Sequence, residues 1–243
     1  MRRFASEGPP MPDGLILIDK PAGPTSHDVV DLIRRRFRIP KVGHGGSLDP
    51  QATGLLIIMV NRGTKISNLF LGSDKEYEGT MRLGLTTNSY DLDGEVTATA
   101  PWEHVTRERL EEGMAQFQGD LMQVPPMVSA IKRAGVPLYK LARQGETVER
   151  ESRFVHLYEF SLRSFVPPDA VVRIRCTKGT YVRSLCHDLG QVLGCGAALA
   201  QLRRTGSGRF RVDDSLPLDA ALALPPPEFA ARIIPLAQAL PNA

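Results

Sequence analysis

Continuous apolar runs, amphipathic stretches and glycine–proline punctuation follow one another along this chain. Gly14 to Asp19 (GLILID) is an apolar run of strand length, and Pro21 to Pro24 a turn. Thr25 then opens a helix, with Asp28 three residues on as an approximate capping box. Val29, Leu32, Ile33 and Phe37 recur at helical spacing and are expected to face the core. Arg34, Arg35, Arg36 and Arg38 crowd the end of that helix, where cations suit the helix dipole, and that reading is preferred over RNA contact. After a glycine-rich loop, Val42 to Thr53, the run Gly54 to Val60 (GLLIIMV) has the length of a buried strand. Thr64 to Leu71 reads as a short helix, Tyr77 to Gly84 alternates as a half-buried strand should, and Asp91 to Gly94 is a turn. Thr106 to Phe117 is helical, Gln123 to Pro126 breaks the chain, Met127 to Lys132 is a candidate strand, and Val136 to Gly145 a turn with a short helix. Phe154 to Phe165 and Ala170 to Cys176 look like a strand pair, Thr180 to Leu193 a helix capped by Thr180, and Leu202 to Val212 a basic strand or hairpin. Strands and helices mix without regular βαβ alternation. The expected class is therefore α+β, a large mixed, mostly antiparallel sheet flanked by helices.

Composition narrows the setting. No apolar run reaches the roughly 18 residues that span a bilayer. Arg2 and Arg3 have no apolar stretch behind them, so Met1 to Pro12 is expected to be a flexible tail rather than a secretory signal. The three cysteines, an odd number without close pairs, point to a reducing, cytoplasmic compartment. Cys186 beside His187 matches no common zinc spacing and reads as a buried thiol, so no metal is expected. The net charge of +3 hides an uneven distribution. Lys132 to Arg211 carries 15 lysines and arginines against 6 acidic residues, while Gly84 to Asp120 carries 2 against 8. A basic C-terminal half suggests a face for a polyanion, or simply an uneven solvated surface.

Candidate chemistry concentrates in GHGGSLDPQATG, Gly43 to Gly54. Glycines let backbone approach a ligand closely, and Pro50 pushes Asp49 toward extended backbone. A carboxylate on a stiff loop ahead of a buried strand is a good mount for a catalytic group, and equally for an ordinary Asp-Pro turn.

The loop resembles the catalytic loop of the bacterial tRNA pseudouridine-55 synthases, the TruB family, and five other blocks agree in order. Asp19 to Ser26 (DKPAGPTS) resembles the opening motif, and Lys75 to Gly79 (KEYEG) with Leu83-Gly84 the tyrosine motif. Gln123 to Pro126 and Ser129 to Lys132, followed by Tyr139, Ala142 and Arg143, resemble the next block. Cys176 to Leu185 (CTKGTYVRSL) resembles the arginine motif, and Leu202 to Thr205 with Gly208 the last. The match runs from about Gly14 to Asp219 and implies one catalytic domain over residues 13–219, with 220–243 a short closing segment. The resemblance implies that Asp49 attacks the nucleoside, Tyr77 stacks on the uracil and accepts a proton, and Arg183 pairs with Asp49. It implies that Tyr181 and Leu202 line the pocket, that His44 helps the flipped nucleotide, and that Lys20 and Pro21 support the site. Many relatives carry a small C-terminal RNA-binding PUA domain. Only 25 residues follow Leu218, too few for an independent core, so a full PUA domain is not expected.

The chemistry fits. The N-glycosidic bond must break, the base rotate, and a bond to carbon 5 form. A carboxylate can attack the anomeric carbon or carbon 6, with no cofactor. Extruding the base costs a few kcal/mol, and aromatic stacking returns about 1–3 kcal/mol. Arg183 sits in the first turn of its helix, where cations are disfavoured, which hints at an anionic partner. The expected partner is the T-stem-loop of tRNA, with no membrane and no obligate protein partner, the chain acting as a monomer. Two other classes stay open: a tRNA-folding protein independent of catalysis, and a nucleoside hydrolase. The hydrolase needs a second carboxylate, for which Asp91 and Asp93 in a DLDG turn are candidates on paper. Three positions depart from the family pattern. Gly45 stands where a threonine is usual, Gln51 where leucine is commoner, and Asn88-Ser89-Tyr90-Asp91 in place of a more threonine-rich turn.

Overall fold

The computed structural model describes residues 11–127, 129 and 148–239, and the backbone of 132–133 and 136–137. Residues 1–10 of the expected tail, most of the expected elements at 127–132 and 136–145, the motif residues Tyr139, Ala142 and Arg143, and residues 240–243 lie outside this description. The chain divides into two compact units, Met1–Ser73 with Arg203–Ala243, and Asp74–Leu202.

The first unit is built on Gly14–Lys20 paired antiparallel with Thr53–Val60. Successive side chains of a strand point to opposite faces. Ile16, Ile18, Leu56, Ile58 and Val60 accordingly meet Val29, Val30, Ile33 and Phe37 of the helix Ser26–Phe37, together with Leu218, Ala221 and Phe229. Leu15, Leu17, Leu55, Ile57 and Met59 pack on the other side against Phe70, Phe210 and Val212. Both faces are covered, which is why these strands read as unbroken apolar runs instead of alternating ones. The short strand Val42–His44 and the parallel residues Arg203 and Arg204 flank Thr53–Val60, while Leu216–Pro217 and Ile234–Pro235 flank Gly14–Lys20. The chain closes in short helices, with Phe229 stacked on Phe37 at 3.7 Å between ring centroids.

The helix Ser26–Phe37 starts as its sequence demands. Thr25 caps the Asp28 amide while the Asp28 carboxylate accepts from the Thr25 amide, a complete capping box. One core expectation fails: Leu32 is 43% exposed, and Val30 takes the buried place. At 100° per residue the inward stripe runs through 26, 29, 30, 33 and 37, which leaves Leu32 on its outer shoulder. Asn61–Ile66 is a 3₁₀ turn, so α-helix covers only Ser67–Leu71 of the expected Thr64–Leu71 element.

The second unit orders its antiparallel strands Gly119–Gln123, Arg153–Val166, Asp169–Cys176 and Lys75–Leu83, with the start of Ala197–Ser207 next to the last of these. Lys75–Leu83 alternates buried and half-exposed positions as expected. The helices Arg107–Ala115 and Val182–Leu193 cover the inner face. The outer face carries ion pairs from Arg173 to Glu76 and Glu159. The strand expected from Leu202 begins at Ala197 and turns back through Phe210–Arg211. Two-faced strands, amphipathic helices and mostly antiparallel pairing make the α+β architecture the sequence implies.

Candidate active site

In the first unit the loop carrying Asp49 is held by its own backbone. The carbonyls of five consecutive residues are occupied. Those of Gly46 and Ser47 accept from the Arg204 guanidinium at 3.1 and 3.2 Å, and that of Leu48 from the Ser26 hydroxyl at 3.2 Å. The Asp49 carbonyl takes the Ala52 amide at 3.1 Å, and the Pro50 carbonyl takes the Lys20 ammonium and the Gly23 amide, each at 2.9 Å. Ser26 also accepts the Leu48 amide at 2.8 Å, so one hydroxyl holds both the N–H and the C=O of Leu48, the residue just before Asp49. The Asp49 residue itself is exposed. A carboxylate presented to solvent from a backbone that cannot swing is preorganised for attack.

Lys20 is fully buried and donates to the carbonyls of Pro21, Pro24 and Pro50 at 2.8–2.9 Å. Desolvation lowers its pKa to about 8, the Asp49 charge works to raise it, and the Arg204 charge lowers it further. Lys20 therefore supports the loop from beneath.

Arg204 lies in the last motif, and the sequence alone assigns it no role. Besides its two loop contacts it donates to the Leu55 carbonyl at 2.7 Å, and it is 2% exposed. Its three nitrogens each take a different carbonyl, a spread that a planar fork of donors covers and a single ammonium nitrogen does not. Its neighbour Arg203 holds Asp19, the residue before Lys20, in a bidentate pair at 3.0 and 2.7 Å. His44 ends the strand Val42–His44, half-buried, and accepts the Gly46 amide on Nδ1 at 3.4 Å. Burial, then Arg204 and His27, hold its pKa below the usual imidazole value, so its ring is neutral at pH 7. The departure at Gly45 has a steric cause. A Cβ there would stand 2.8 Å from Cβ of Phe70, which fills the space a larger residue would need.

In the second unit, Tyr77 lies on the buried face of Lys75–Leu83, opposite Ile174 in register. Leu202 passes over Gly79 of the same strand, its Cδ1 3.7 Å from where a Cβ would stand. The helix begins two residues later than expected, at Val182, and Thr180 is not its cap. The Thr180 hydroxyl turns back to the Thr177 carbonyl, and Tyr181 occupies the cap position with no side-chain capping bond. The backbone of Tyr181 is held by the Gln123 side-chain amide, which accepts its N–H at 2.7 Å and donates to its carbonyl at 3.0 Å. Ser184 adds a bond to the Val124 carbonyl at 2.9 Å. The QVPP motif thus sets the entry of the arginine motif.

Arg183 is 4% exposed. Its guanidinium donates to the Ser89 carbonyl at 3.1 Å and lies 3.6 Å from the Asp91 carboxylate. The anion its helix position called for thus includes Asp91. That carboxylate also accepts from the Ser89 hydroxyl and the Asp93 amide, which folds the expected turn. Asp91 is accordingly spent on an arginine and a turn, a poor state for the second acid of a hydrolase. Cys176, Cys186 and Cys195 are free and buried, and burial pushes Cys186 up to about 12, an inert thiol.

The family description "TruB family pseudouridylate synthase (N terminal domain)" matches residues 34–182, and "tRNA pseudouridylate synthase B C-terminal domain" matches 183–223. The chain is 53% identical over 230 residues to "tRNA pseudouridine synthase B" of Opitutus terrae, covering 95% of each. It is 48% identical over 206 residues to the protein of the same name from Pseudomonas aeruginosa, covering 85% of this chain and 67% of that one. Among solved structures, the fold is similar to a chain of "Crystal Structure of a Cbf5-Nop10-Gar1 Complex", with a TM-score of 0.74 and 29% identity over 94% of this chain. It is also similar to a chain of "Structure of H/ACA RNP bound to a substrate RNA containing 2'-deoxyuridine", with a TM-score of 0.71 and 26% identity. This chain spans 62% and 61% of the length of those two chains.

Proposed function

The chain belongs to the TruB family of pseudouridylate synthases, and on that premise we propose that it converts one uridine in the T-loop of tRNA, position 55, to pseudouridine, with Asp49 as nucleophile. The observation that carries the assignment of Asp49 is the occupation of five successive carbonyls beneath it, from Gly46 to Pro50. A plain Asp-Pro turn needs no such anchoring.

The reaction then runs as follows. The target nucleotide leaves its stack, eased by the neutral His44, and the uracil stacks on Tyr77 between Tyr181 and Leu202. The ionised Asp49 attacks the nucleoside at the sugar or at carbon 6, the N-glycosidic bond breaks, and the base turns to present carbon 5. The new carbon–carbon bond forms, the bond to Asp49 breaks, and the proton leaves carbon 5 by way of Tyr77 while N1 takes one up, so that the nucleoside keeps all its atoms. Arg183 is the cation that the resemblance pairs with Asp49 in the reaction. The basic C-terminal half meets the RNA phosphates. The enzyme works on tRNA in the cytoplasm as a monomer, with no obligate protein partner.

The test is an unmodified tRNA transcript incubated with wild type or Asp49→Ala, with pseudouridine mapped by chemical modification and primer extension. One new signal in the T-loop, absent with the variant, supports the site and the nucleophile together. Released uracil would mean hydrolysis. RNA binding with no signal would move the assignment to a folding role.

A further inference from the structure

We infer that Tyr90 and His187 form a stacked positioning pair that fixes the turn holding Arg183. This rests on the catalytic part proposed for Arg183.

Tyr90 has φ +67°. The left-handed region strains a bulky residue, so its surroundings must over-determine it. They do so at three points. The Tyr90 amide donates to the Thr87 carbonyl at 3.3 Å, and its carbonyl accepts the Leu199 amide at 2.9 Å. Its ring lies flat on the His187 imidazole, with centroids 3.9 Å apart and planes at 15°.

His187 follows Arg183 by four residues in the helix Val182–Leu193, so both side chains stand on one face, a turn apart. The three residues that meet this face are consecutive. Ser89 and Asp91 hold the guanidinium, and Tyr90 between them holds the imidazole. The turn therefore grips the helix at two heights. Rotation of the turn about the guanidinium contacts would have to unstack the rings, and loss of the stack would leave Asp91 and the Ser89 carbonyl free to pivot away.

No hydrogen bond at Nδ1 sets the placement of His187. Its Nδ1 is buried and makes no hydrogen bond among the described residues. Burial and the Arg150 charge hold its pKa below the usual imidazole value. A neutral ring stacks on tyrosine without adding a second positive charge beside Arg183. Tyr90 also falls where this chain departs from the family's threonine-rich turn, and a threonine could not stack.

The experiment compares wild type with Tyr90→Phe, Tyr90→Ser, His187→Gln and the Tyr90→Ser/His187→Gln double variant. It reads single-turnover kcat and KM on tRNA, melting, and the Arg183 Nε–H NMR resonance. Tyr90→Phe keeps the stack and should hold kcat within about twofold. Tyr90→Ser and His187→Gln should each lower kcat about tenfold with KM little changed, the scale of a modest misplacement. The double variant should be no worse than the single ones, because the two rings act as a unit. Should Tyr90→Ser not fold, His187→Gln carries the same test. A kcat within about twofold of wild type in the ring-removal variants, or multiplicative losses in the double variant, would overturn the inference. The resonance separates the two readings. If wild type makes no pseudouridine but Arg183 shifts or broadens on ring removal, the pair stands and the reaction assignment falls. An unmoved resonance overturns the pair.

Discussion

The ammonium of Lys20 donates at 2.9 Å to the carbonyl of Pro50, the residue that follows Asp49. A fully buried lysine thus bears on the peptide that directs the candidate nucleophile. It does so as one of three anchors, with Ser26 behind Leu48 and Arg204 behind Gly46 and Ser47.

Lys20→Met should separate positioning from stability. Removing the ammonium deletes three hydrogen bonds but also relieves the burial of a charge, and the two effects oppose each other. Melting is expected to move little, while kcat on tRNA falls by about tenfold to a hundredfold as the loop loosens. Equal kcat with a lower melting temperature would make Lys20 a purely structural residue.

The pH dependence of Lys20 has opposite signs for activity and stability. Its folded pKa of about 8 lies below the ordinary 10.5. Between those values the unfolded chain binds more protons than the folded one, so this group makes stability rise with pH from about 8 to 10.5. Over the same range the neutral amine loses its charge-assisted bonds, and kcat is expected to fall as pH passes 8. Urea unfolding and single-turnover rates across pH 7 to 10 check both limbs, with Lys20→Met as the variant in which this contribution vanishes.

Arg204→Lys keeps the charge and loses the fork. The guanidinium meets Leu55, Ser47 and Gly46 from three separate nitrogens, a span that donors gathered on the single nitrogen of an ammonium do not cover. Buried acceptors left unsatisfied cost about 1–3 kcal/mol each, so a loss of about 2–4 kcal/mol is expected in denaturant unfolding, with kcat reduced as well.

Gly54→Ala tests the close approach of two strands. Gly54 has φ +97°, and a Cβ would stand 2.3 Å from the Arg204 carbonyl oxygen. Backbone must move on one side, at a cost of about 3 kcal/mol or more, seen as poor folding or a sharply lower melting temperature. Wild-type stability would mean that the strand ends part readily.

What was legible in the sequence was local. The three-residue spacing of Thr25 and Asp28 encodes the capping box, and the unbroken runs GLILID and GLLIIMV encode strands covered on both faces. The glycine-rich loop could be singled out, but its restraint could not. Arg204 stands 150 or more residues from two of its acceptors, and no periodicity announces such a contact. The hairpin Leu85–Thr87 with Val96–Thr99 leaves little mark in the sequence because both strands are short and residues 96–99 are exposed on both sides. Thr180 looked like a helix cap by residue type, yet Gln123 outcompetes it by gripping the Tyr181 backbone from another strand. The start of Ala197–Ser207 was missed because its small residues give no strand signature of their own.

The three acceptors of Lys20 are all main-chain oxygens. Every amino acid supplies such an oxygen, so the hub is blind to side-chain identity at positions 21, 24 and 50. It is not blind to how many residues lie between them. Evolution can therefore respell this part of the chain far more freely than it can lengthen or shorten it, and a one-residue deletion between 21 and 24 or between 46 and 50 would do more harm than most replacements there.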